Sequence, residues 1–371
     1  MGINETINLY ILCFIFSSLF LYFAKLSKER DNKFLSIMLV IIAILIPAWL
    51  CGFRFYVGTN YEMYLMSYVN LGNVPLKYIL EVPFEPFHFV LLKIITALGN
   101  KWVLFFFIYS LLTVLFAYLA IYKKVDKKYM FICACTYLLI IFPDAFNIIR
   151  QALAVSITMF AVYLLGKEKY KWFIVVSILA CFAHVSAVIV LIFGILYMLL
   201  KKVKHRELIT VLLLIIGILG IIYLAYILPS NAYTGKVKNY IMNYTRIYYN
   251  WFIIIENIMF IVMVIFLNIK RKDVKNIKFT NMLFCIYMIF RMFIYINNPI
   301  SRFALYFEFS KIYIVEKFMR YFNDKFKNEI VFYIVYFIVF ALLVTTFLYL
   351  NVYINKNTIL PYTSSFQYLF D

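Results

Sequence analysis

Apolar runs long enough to cross a membrane recur along this chain, and short basic segments separate them. Residues 7–24, 34–53, 102–122 and 330–353 are examples, each near the roughly 20 residues that a transmembrane helix needs. Because 66% of the residues are hydrophobic and only 14% are charged, the chain has too little polar surface for a water-soluble globule. The pattern predicts an all-α polytopic membrane protein with about 11–13 transmembrane helices.

Positive charge is concentrated in the short segments between the apolar runs. A net charge of +19 would suggest nucleic-acid binding in a soluble protein, but lysines and arginines between spans orient a membrane protein with those loops in the cytoplasm. The basic segment 25–33 is therefore predicted inside, with the N-terminus outside. We expect no nucleic-acid partner.

Two stretches do not fit a simple series of crossings. Segment 54–101 has few basic residues and contains one short apolar piece, 86–98, so we assign it to the outer face. Residues 172–200 have basic clusters at both ends, which predicts a re-entrant or broken helix whose two arms meet near His184. Residues 1–371 are expected to form a single membrane domain.

Polar residues interrupt the apolar pattern at two places. Asn147, Arg150 and Gln151 lie at the start of one predicted span, and His184 and Ser186 lie within the long apolar run. An ionisable residue inside a membrane is costly unless it faces protein, water or an anion, so Arg150 is the first candidate for function. Under the predicted orientation, these residues share the outer side with four others, namely Arg54, Asn60, Glu85 and Arg302.

The residue types on this side suit an anionic ligand. Arginine binds phosphate oxygens through paired hydrogen bonds, so Arg54, Arg150 and Arg302 around one cavity would suit an anionic ligand, and a lipid pyrophosphate fits this description. A histidine can accept a proton from a hydroxyl at neutral pH, so His184 is the first candidate for the general base and Glu85 is the second.

Structural explanations exist for several of these side chains. A lone histidine in a membrane helix is often a hydrogen-bonded packing residue, and arginines near span ends can reach the lipid headgroups. Glu308 and Lys311 have the i,i+3 spacing of an internal ion pair. Arg291 either pairs with Glu256 or lines the same cavity as the other arginines.

Several common catalytic motifs are absent from the sequence. It contains no DxD pair, no GxxxxGK[ST] loop and no HExxH helix, and the six cysteines lack zinc-ligand spacing. These absences argue against metal-dependent use of nucleotide sugars, ATP hydrolysis and zinc proteolysis. We expect neither a metal nor a cofactor.

Five segments, taken in order, resemble the EpsG-like branch of the Wzy-type polysaccharide polymerases. They are Arg54–Tyr61, Glu85–Phe87, Asn147–Ala154, Phe182–Ser186 and Arg302–Tyr306. The resemblance covers about residues 50–310, and its most specific parts are the N-x-x-R-Q and F-x-H-x-S segments. Two positions depart from the family pattern: Asn60 replaces a more frequent aspartate, and Phe87-His88 replaces a glycine after Glu85-Pro86.

This resemblance implies the polymerisation of undecaprenyl-pyrophosphate-linked oligosaccharide repeat units at the outer face of the bacterial cytoplasmic membrane. The growing chain would move from its lipid pyrophosphate to a sugar hydroxyl of an incoming lipid-linked unit. The resemblance also implies contact with membrane lipid, and a chain-length regulator and a flippase of the same pathway as partners. Further substrate-binding roles would fall to Asn60, Asn147, Gln151, Ser186 and Tyr306.

Three other activities share parts of this pattern. An O-antigen-type ligase would have the same arginine-rich outer site but a different acceptor. A flippase for lipid-linked sugars would need access from both faces and commonly shows paired halves, whereas no internal repeat is visible in this sequence. A membrane acyltransferase would need an acyl donor that reaches its histidine from the cytoplasm.

Overall fold

The computed structural model describes residues 1–79, 85–99, 101–227, 252–269, 277–295, 298–326 and 329–366. Regular secondary structure in these ranges is helical. The helices are α1 (Ile3–Glu29), α2 (Lys33–Gly52), α3 (Tyr61–Gly72), α4 (Pro86–Ala97), α5 (Trp102–Lys124), α6 (Lys127–Thr136), α7 (Ile149–Gly166), α8 (Tyr170–Ala183), α9 (Val188–Leu199), α10 (Arg206–Ile227), α11 (Phe252–Ile269), α12 (Ile277–Met292), α13 (Asn298–Ser301), α14 (Ser310–Lys325) and α15 (Glu329–Leu348).

The described helices confirm an all-α polytopic membrane protein. Seven helical segments in these ranges are long and apolar enough to span a membrane, and three shorter apolar helices accompany them. The short ones include α4 and α8, with 12 and 14 residues, both below the length of a full span. The expected total of about 11–13 transmembrane helices stays a prediction, and the predicted outer loop 229–249 lies outside the described residues.

Two compact units divide the chain. The first unit comprises Met1–Ala187 and Phe318–Asp371, and the second comprises Val188–Lys317. In the first unit, α1 packs on α2 and α6, α2 packs on α5, and α7 packs between α5 and α8. The single membrane domain expected from the sequence stays a prediction.

The segment from α6 to the start of α7 is the most deeply buried part of the first unit. After Thr136 the helix continues as a π turn over Tyr137–Ile141 and a 3₁₀ turn over Phe142–Phe146. Aromatic rings from α1 pack against these turns, with edge-to-face contacts from Tyr10 to Phe146 and from Phe14 to Phe142. The start of α7 is therefore held in a rigid surrounding.

The long apolar run 172–200 is broken where the sequence predicts. Helix α8 ends at Ala183, and His184 adopts an extended conformation with φ −159° and ψ 123°. A 3₁₀ turn over Val185–Ala187 follows before α9 begins. The break is confirmed, whereas the return of the second arm to the cytoplasmic side stays a prediction.

In the second unit, four charged side chains form a buried cluster. Lys311 Nζ lies 2.8 Å from Glu308 Oε1 and 3.0 Å from Glu256 Oε1, and Arg291 Nη2 lies 3.5 Å from Glu256 Oε2. The predicted Glu308–Lys311 pair is confirmed, and of the two possibilities stated for Arg291 the structure shows the pair with Glu256. Two acidic and two basic groups leave the cluster with no net charge, which is what makes its burial tolerable.

Candidate active site

Glu85 joins two of the residues that the sequence singled out. It immediately precedes α4, and its carboxylate accepts a hydrogen bond from Arg150 Nη1 through Oε2. Its other oxygen, Oε1, pairs with His184 Nδ1 and lies 3.4 Å from the Val185 amide nitrogen. The start of α4, the start of α7 and the end of α8 therefore meet at one carboxylate.

The positions of these side chains on their helices explain the pairing. A carboxylate just before a helix is favoured by the positive end of the helix dipole, whereas the Arg150 cation near the start of α7 is not. Glu85 offsets the unfavourable charge of Arg150. The three side chains are partly exposed, at 11% for Glu85, 17% for Arg150 and 24% for His184.

Glu85 is held in its ionised form. Burial raises the pKa of its carboxyl, but the hydrogen bond with His184 and the charge of Arg150 outweigh burial and lower the pKa to about 2. Glu85 lies outside the candidate membrane spans, in the connection before α4. A carboxylate with so low a pKa is a weak proton acceptor at neutral pH.

A buried histidine, which the sequence analysis noted only as part of a departure from the family pattern, supports the helix that begins after Glu85. His88 lies one turn into α4; its Nε2 is 2.8 Å from Ser67 Oγ and its Nδ1 is 2.9 Å from Tyr109 Oη. These bonds join α3, α4 and α5 and so hold the first turn of α4 in place. The only sequence signal for this role is the i,i+3 spacing from Glu85.

The Arg54 side chain points into the protein and not toward Glu85, Arg150 and His184. It is fully buried, and its guanidinium donates to the carbonyl oxygens of Cys51, Val57 and Phe146. The Arg54 guanidinium also lies 4.9 Å from the centre of the Phe106 ring. The structure thus gives Arg54 the contacts of a residue that holds a loop, whereas the sequence predicted a pyrophosphate ligand.

Asn147 connects that loop to the start of α7. Its Oδ1 accepts from the backbone nitrogen of Thr59 at 2.6 Å, and its own carbonyl accepts from Asn60 Nδ2 at 3.0 Å. Gly58 makes this close approach possible: its φ is +94°, and a Cβ there would lie 2.3 Å from the Phe146 oxygen. Asn60 and Asn147 therefore belong to one network that adjoins the Glu85 group.

The remaining predicted residues fall in different places. Gln151 follows Arg150 on α7 and is buried, and Ser186 lies in the 3₁₀ turn just after His184. Arg302 and Tyr306 lie in the second unit, where Arg302 is exposed and Tyr306 is fully buried. Their participation in the site stays a prediction.

Comparison with known families gives a match that covers most of the chain. A sequence model of the EpsG family matches residues 37–364, which include every candidate residue above. The chain belongs to the EpsG family. The resemblance stated from the five motif segments is thereby confirmed. No curated protein and no solved structure matches the chain.

Membership of the EpsG family indicates the general class of activity. This EpsG protein is a multi-pass membrane protein of polysaccharide biosynthesis, a glycosyltransferase-like polymerase of the exopolysaccharide type. Polymerases of this kind act on lipid-linked oligosaccharide within the membrane. Among the described residues of the EpsG chain, no three His, Cys, Asp or Glu side chains are grouped as metal ligands would be.

Proposed function

We propose that this protein polymerises undecaprenyl-pyrophosphate-linked oligosaccharide repeat units at the outer face of the bacterial cytoplasmic membrane. The observation that carries the proposal is the single carboxylate of Glu85, which contacts both Arg150 and His184. A cation and an imidazole held side by side suit a reaction in which a pyrophosphate leaves and a hydroxyl loses its proton. Family membership supports the same class of reaction.

The proposed reaction forms one glycosidic bond and breaks one glycosyl phosphate bond. A hydroxyl oxygen of the incoming lipid-linked unit attacks the anomeric carbon of the growing chain. The bond between that carbon and the pyrophosphate oxygen breaks, and undecaprenyl pyrophosphate leaves with the bonding electrons. The hydroxyl proton passes to His184, which later releases it to solvent.

His184 is the proposed general base, and Glu85 is a positioning residue. In our assignment, His184 Nδ1 carries the hydrogen and donates it to Glu85, which leaves Nε2 with the lone pair that accepts the substrate proton. The low pKa of Glu85, about 2, argues against its own use as the base. Its carboxylate instead orients the ring and stabilises the imidazolium that forms.

Arg150 is the proposed ligand of the leaving pyrophosphate. A guanidinium has five N–H donors in a fixed plane, so one arginine can bind a carboxylate and a phosphate oxygen together. We propose that this contact, in place of a metal ion, offsets the charge that develops on the pyrophosphate as its bond to the anomeric carbon breaks.

Other predicted residues receive supporting roles in the proposal. Gln151 and Ser186, next to Arg150 and His184 in the chain, would contact sugar hydroxyls. The substrate-binding roles that the family resemblance implies for Arg302 and Tyr306 stay predictions. The outward orientation rests on the distribution of lysines and arginines between the spans. A flippase would supply the units, and a chain-length regulator would act on the product.

The test is polymer formation in proteoliposomes supplied with outward-facing lipid-linked repeat units. We compare wild type with Arg150→Ala at matched protein amounts. Wild type is expected to produce a ladder of longer chains, and Arg150→Ala is expected to lower the rate by about 10²–10³-fold, the usual effect of losing one charge-stabilising donor. Single lipid-linked repeats should then accumulate.

Arg320→Ala is the matched control, because Arg320 is 40% exposed and pairs with Asp126 away from the Glu85 group. It should leave the ladder intact. A normal ladder from Arg150→Ala would remove Arg150 from the site. Wild type that moves intact chains onto a different anchor would identify a ligase, and wild type that only carries lipid-linked units across the bilayer would identify a flippase.

A further inference from the structure

A segment near the end of the chain lies across the loop that adjoins the site. Residues 354–366, here called the strap, follow the last helix and run back over residues 53–58. The Phe55 nitrogen donates to Thr363 O at 2.9 Å, and the Ser365 nitrogen donates to Phe53 O at 2.7 Å. The strap and the loop are therefore joined by backbone hydrogen bonds. No local sequence pattern predicts this pairing.

Core helices anchor the strap from beneath. Tyr10 of α1 donates to Ile359 O at 2.9 Å, and Tyr362 of the strap donates to Leu50 O of α2 at 3.0 Å. Both tyrosine side chains are buried. These bonds place the middle of the strap at the same end of the first unit as the start of α7.

The strap also has a strained backbone next to Asn357, a buried polar residue. Thr358 has a φ of +46°, a conformation that β-branched residues rarely adopt. The Gly58 nitrogen donates to Thr358 O at 3.0 Å, so this residue contacts the site loop directly. Strain of this kind persists only where surrounding contacts enforce it, and it is concentrated at functional sites.

Asn357 is the residue through which the strap reaches the site. Asn147 Nδ2 lies 3.0 Å from both the carbonyl oxygen and Oδ1 of Asn357. On its other side, Asn357 Nδ2 donates to Asn351 Oδ1 at 3.2 Å. All three side chains are buried, so the bonds form a continuous and shielded chain.

Asn147 connects the strap to the part of the chain that carries Arg150. It lies three residues before Arg150, at the turn where α7 begins, and its Oδ1 holds Thr59 of the site loop. An ion pair of 3.5 Å between Lys356 and Asp144 ties the strap to the same turn. The strap thus contacts the start of α7 at two positions within six residues of Arg150.

We propose that Asn357 is a positioning residue of the polymerase, which acts through Asn147 to hold Arg150 where the leaving pyrophosphate binds. The strap is then a component of the active site and not a surface tail. This inference rests on the proposed function, because it assigns Arg150 its role there.

The test compares Asn357→Ala, Asn357→Asp and the control Asn8→Ala, which changes an exposed asparagine on α1. Asn357→Ala removes one of the two acceptors for Asn147, whereas Asn357→Asp keeps it. We expect Asn357→Ala to lower the maximal polymerisation rate at least tenfold at matched protein amounts. Asn357→Asp should restore part of that rate, because its carboxylate accepts from Asn147 but cannot donate to Asn351 Oδ1. Asn8→Ala should match wild type.

Hydrogen exchange in detergent provides a readout that is independent of polymerisation. Asn357→Ala should speed exchange in the peptides covering residues 55–60 and 147–152, with no change in α15. If Asn357→Ala does not accumulate, Asn351→Ala takes its place, because it leaves the bonds between Asn147 and Asn357 and removes the outer bond to Asn357 Nδ2, together with the bond from Asn351 Nδ2 to Phe347 O. It should show the same changes to a smaller degree.

Two results would overturn the inference. One is a strap variant that polymerises at the wild-type rate although its hydrogen exchange at residues 147–152 is faster. The strap would then only stabilise the fold. The other is unchanged exchange in both peptides for Asn357→Ala. Wild type that makes no polymer would instead refute the proposed function, and the exchange data would still report whether the strap holds the start of α7.

Discussion

Glu85 shows how one side chain changes the chemistry of its neighbours. The sequence presents it as a second candidate for the general base, because it lies on the same predicted side as His184 and the arginines. In the structure its two oxygens are engaged by Arg150 and His184. A base needs a lone pair directed at substrate, so these contacts favour a role in which Glu85 orients the group that transfers the proton.

The same contacts predict how stability depends on pH. Glu85 has a folded-state pKa of about 2, below its ordinary value of 4.5, so its ionised form stabilises the fold at every pH above 4.5. That contribution is lost as the pH falls from 4.5 through 2. Glu85→Gln is expected to lower the free energy of unfolding by about 3 kcal/mol at neutral pH, near the lower end for a broken buried pair.

The measurement is the melting temperature of both proteins in detergent between pH 8 and pH 3. The difference between wild type and Glu85→Gln should be constant from pH 8 to pH 5 and should shrink below pH 4.5. A difference that grows toward acid pH would contradict the assigned pKa direction. Glu62→Gln, which changes an exposed glutamate on α3, is the control and should follow wild type.

Arg54 and Arg150 show why residue type alone does not assign a role. Both are arginines in segments predicted at the outer side. Arg54 is fully buried and bound to three carbonyl oxygens, whereas Arg150 is partly exposed and bound to a carboxylate. The carbonyls at the end of α2 and in the loop after it accept the donors of Arg54, so that arginine organises the loop.

At the scale of helices, breaks and clusters reflect the membrane environment. Helix α8 ends where His184 leaves helical geometry, and the side chain thus exposed contacts Glu85. In the second unit, α11, α12 and α14 each supply a charged residue to the buried cluster around Lys311. Both features satisfy polar groups that lipid would leave unpaired.

The charge balance of this buried cluster predicts that one substitution can compensate for another. Lys311 is fully buried between Glu256 and Glu308, so Lys311→Met leaves two carboxylates near one remaining cation. We expect a loss of about 3–5 kcal/mol in the free energy of unfolding. The double variant Lys311→Met with Glu308→Gln should recover at least half of that loss, because it restores the balance of charge.

Thermal or denaturant unfolding in detergent measures both variants. Glu308→Gln alone serves as the comparison, since it removes one carboxylate while Lys311 keeps Glu256. A double variant no more stable than Lys311→Met would show that the stability of the buried cluster does not depend on its charge balance.

For the whole molecule, the course of residues 172–200 decides the topology of everything after it. Basic clusters at both ends favour a re-entrant path, yet Val185–Lys202 is by length and composition able to cross a membrane. The two possibilities place the following spans in opposite orientations. The positive-inside pattern supports the re-entrant path.

Single-cysteine labelling distinguishes these paths. In a variant without the six native cysteines, Lys169→Cys and Lys202→Cys are exposed positions on either side of the broken helix. A re-entrant path predicts that a membrane-impermeant maleimide reaches both in inverted vesicles and neither in intact cells. Lys28→Cys marks the cytoplasmic side as a control. Labelling of the two positions from opposite sides would establish a full crossing.

The sequence alone determined the class of protein, most helix positions, the break at His184 and the Glu308–Lys311 pair. Each depends on composition, on the length of an apolar run or on spacing within one helical turn, which local sequence encodes. The tertiary structure alone decided that Glu85 meets Arg150 and His184, and that the strap covers the site loop. Those contacts join residues 65, 99 and more than 300 positions apart, and only the packing of whole helices brings such residues together.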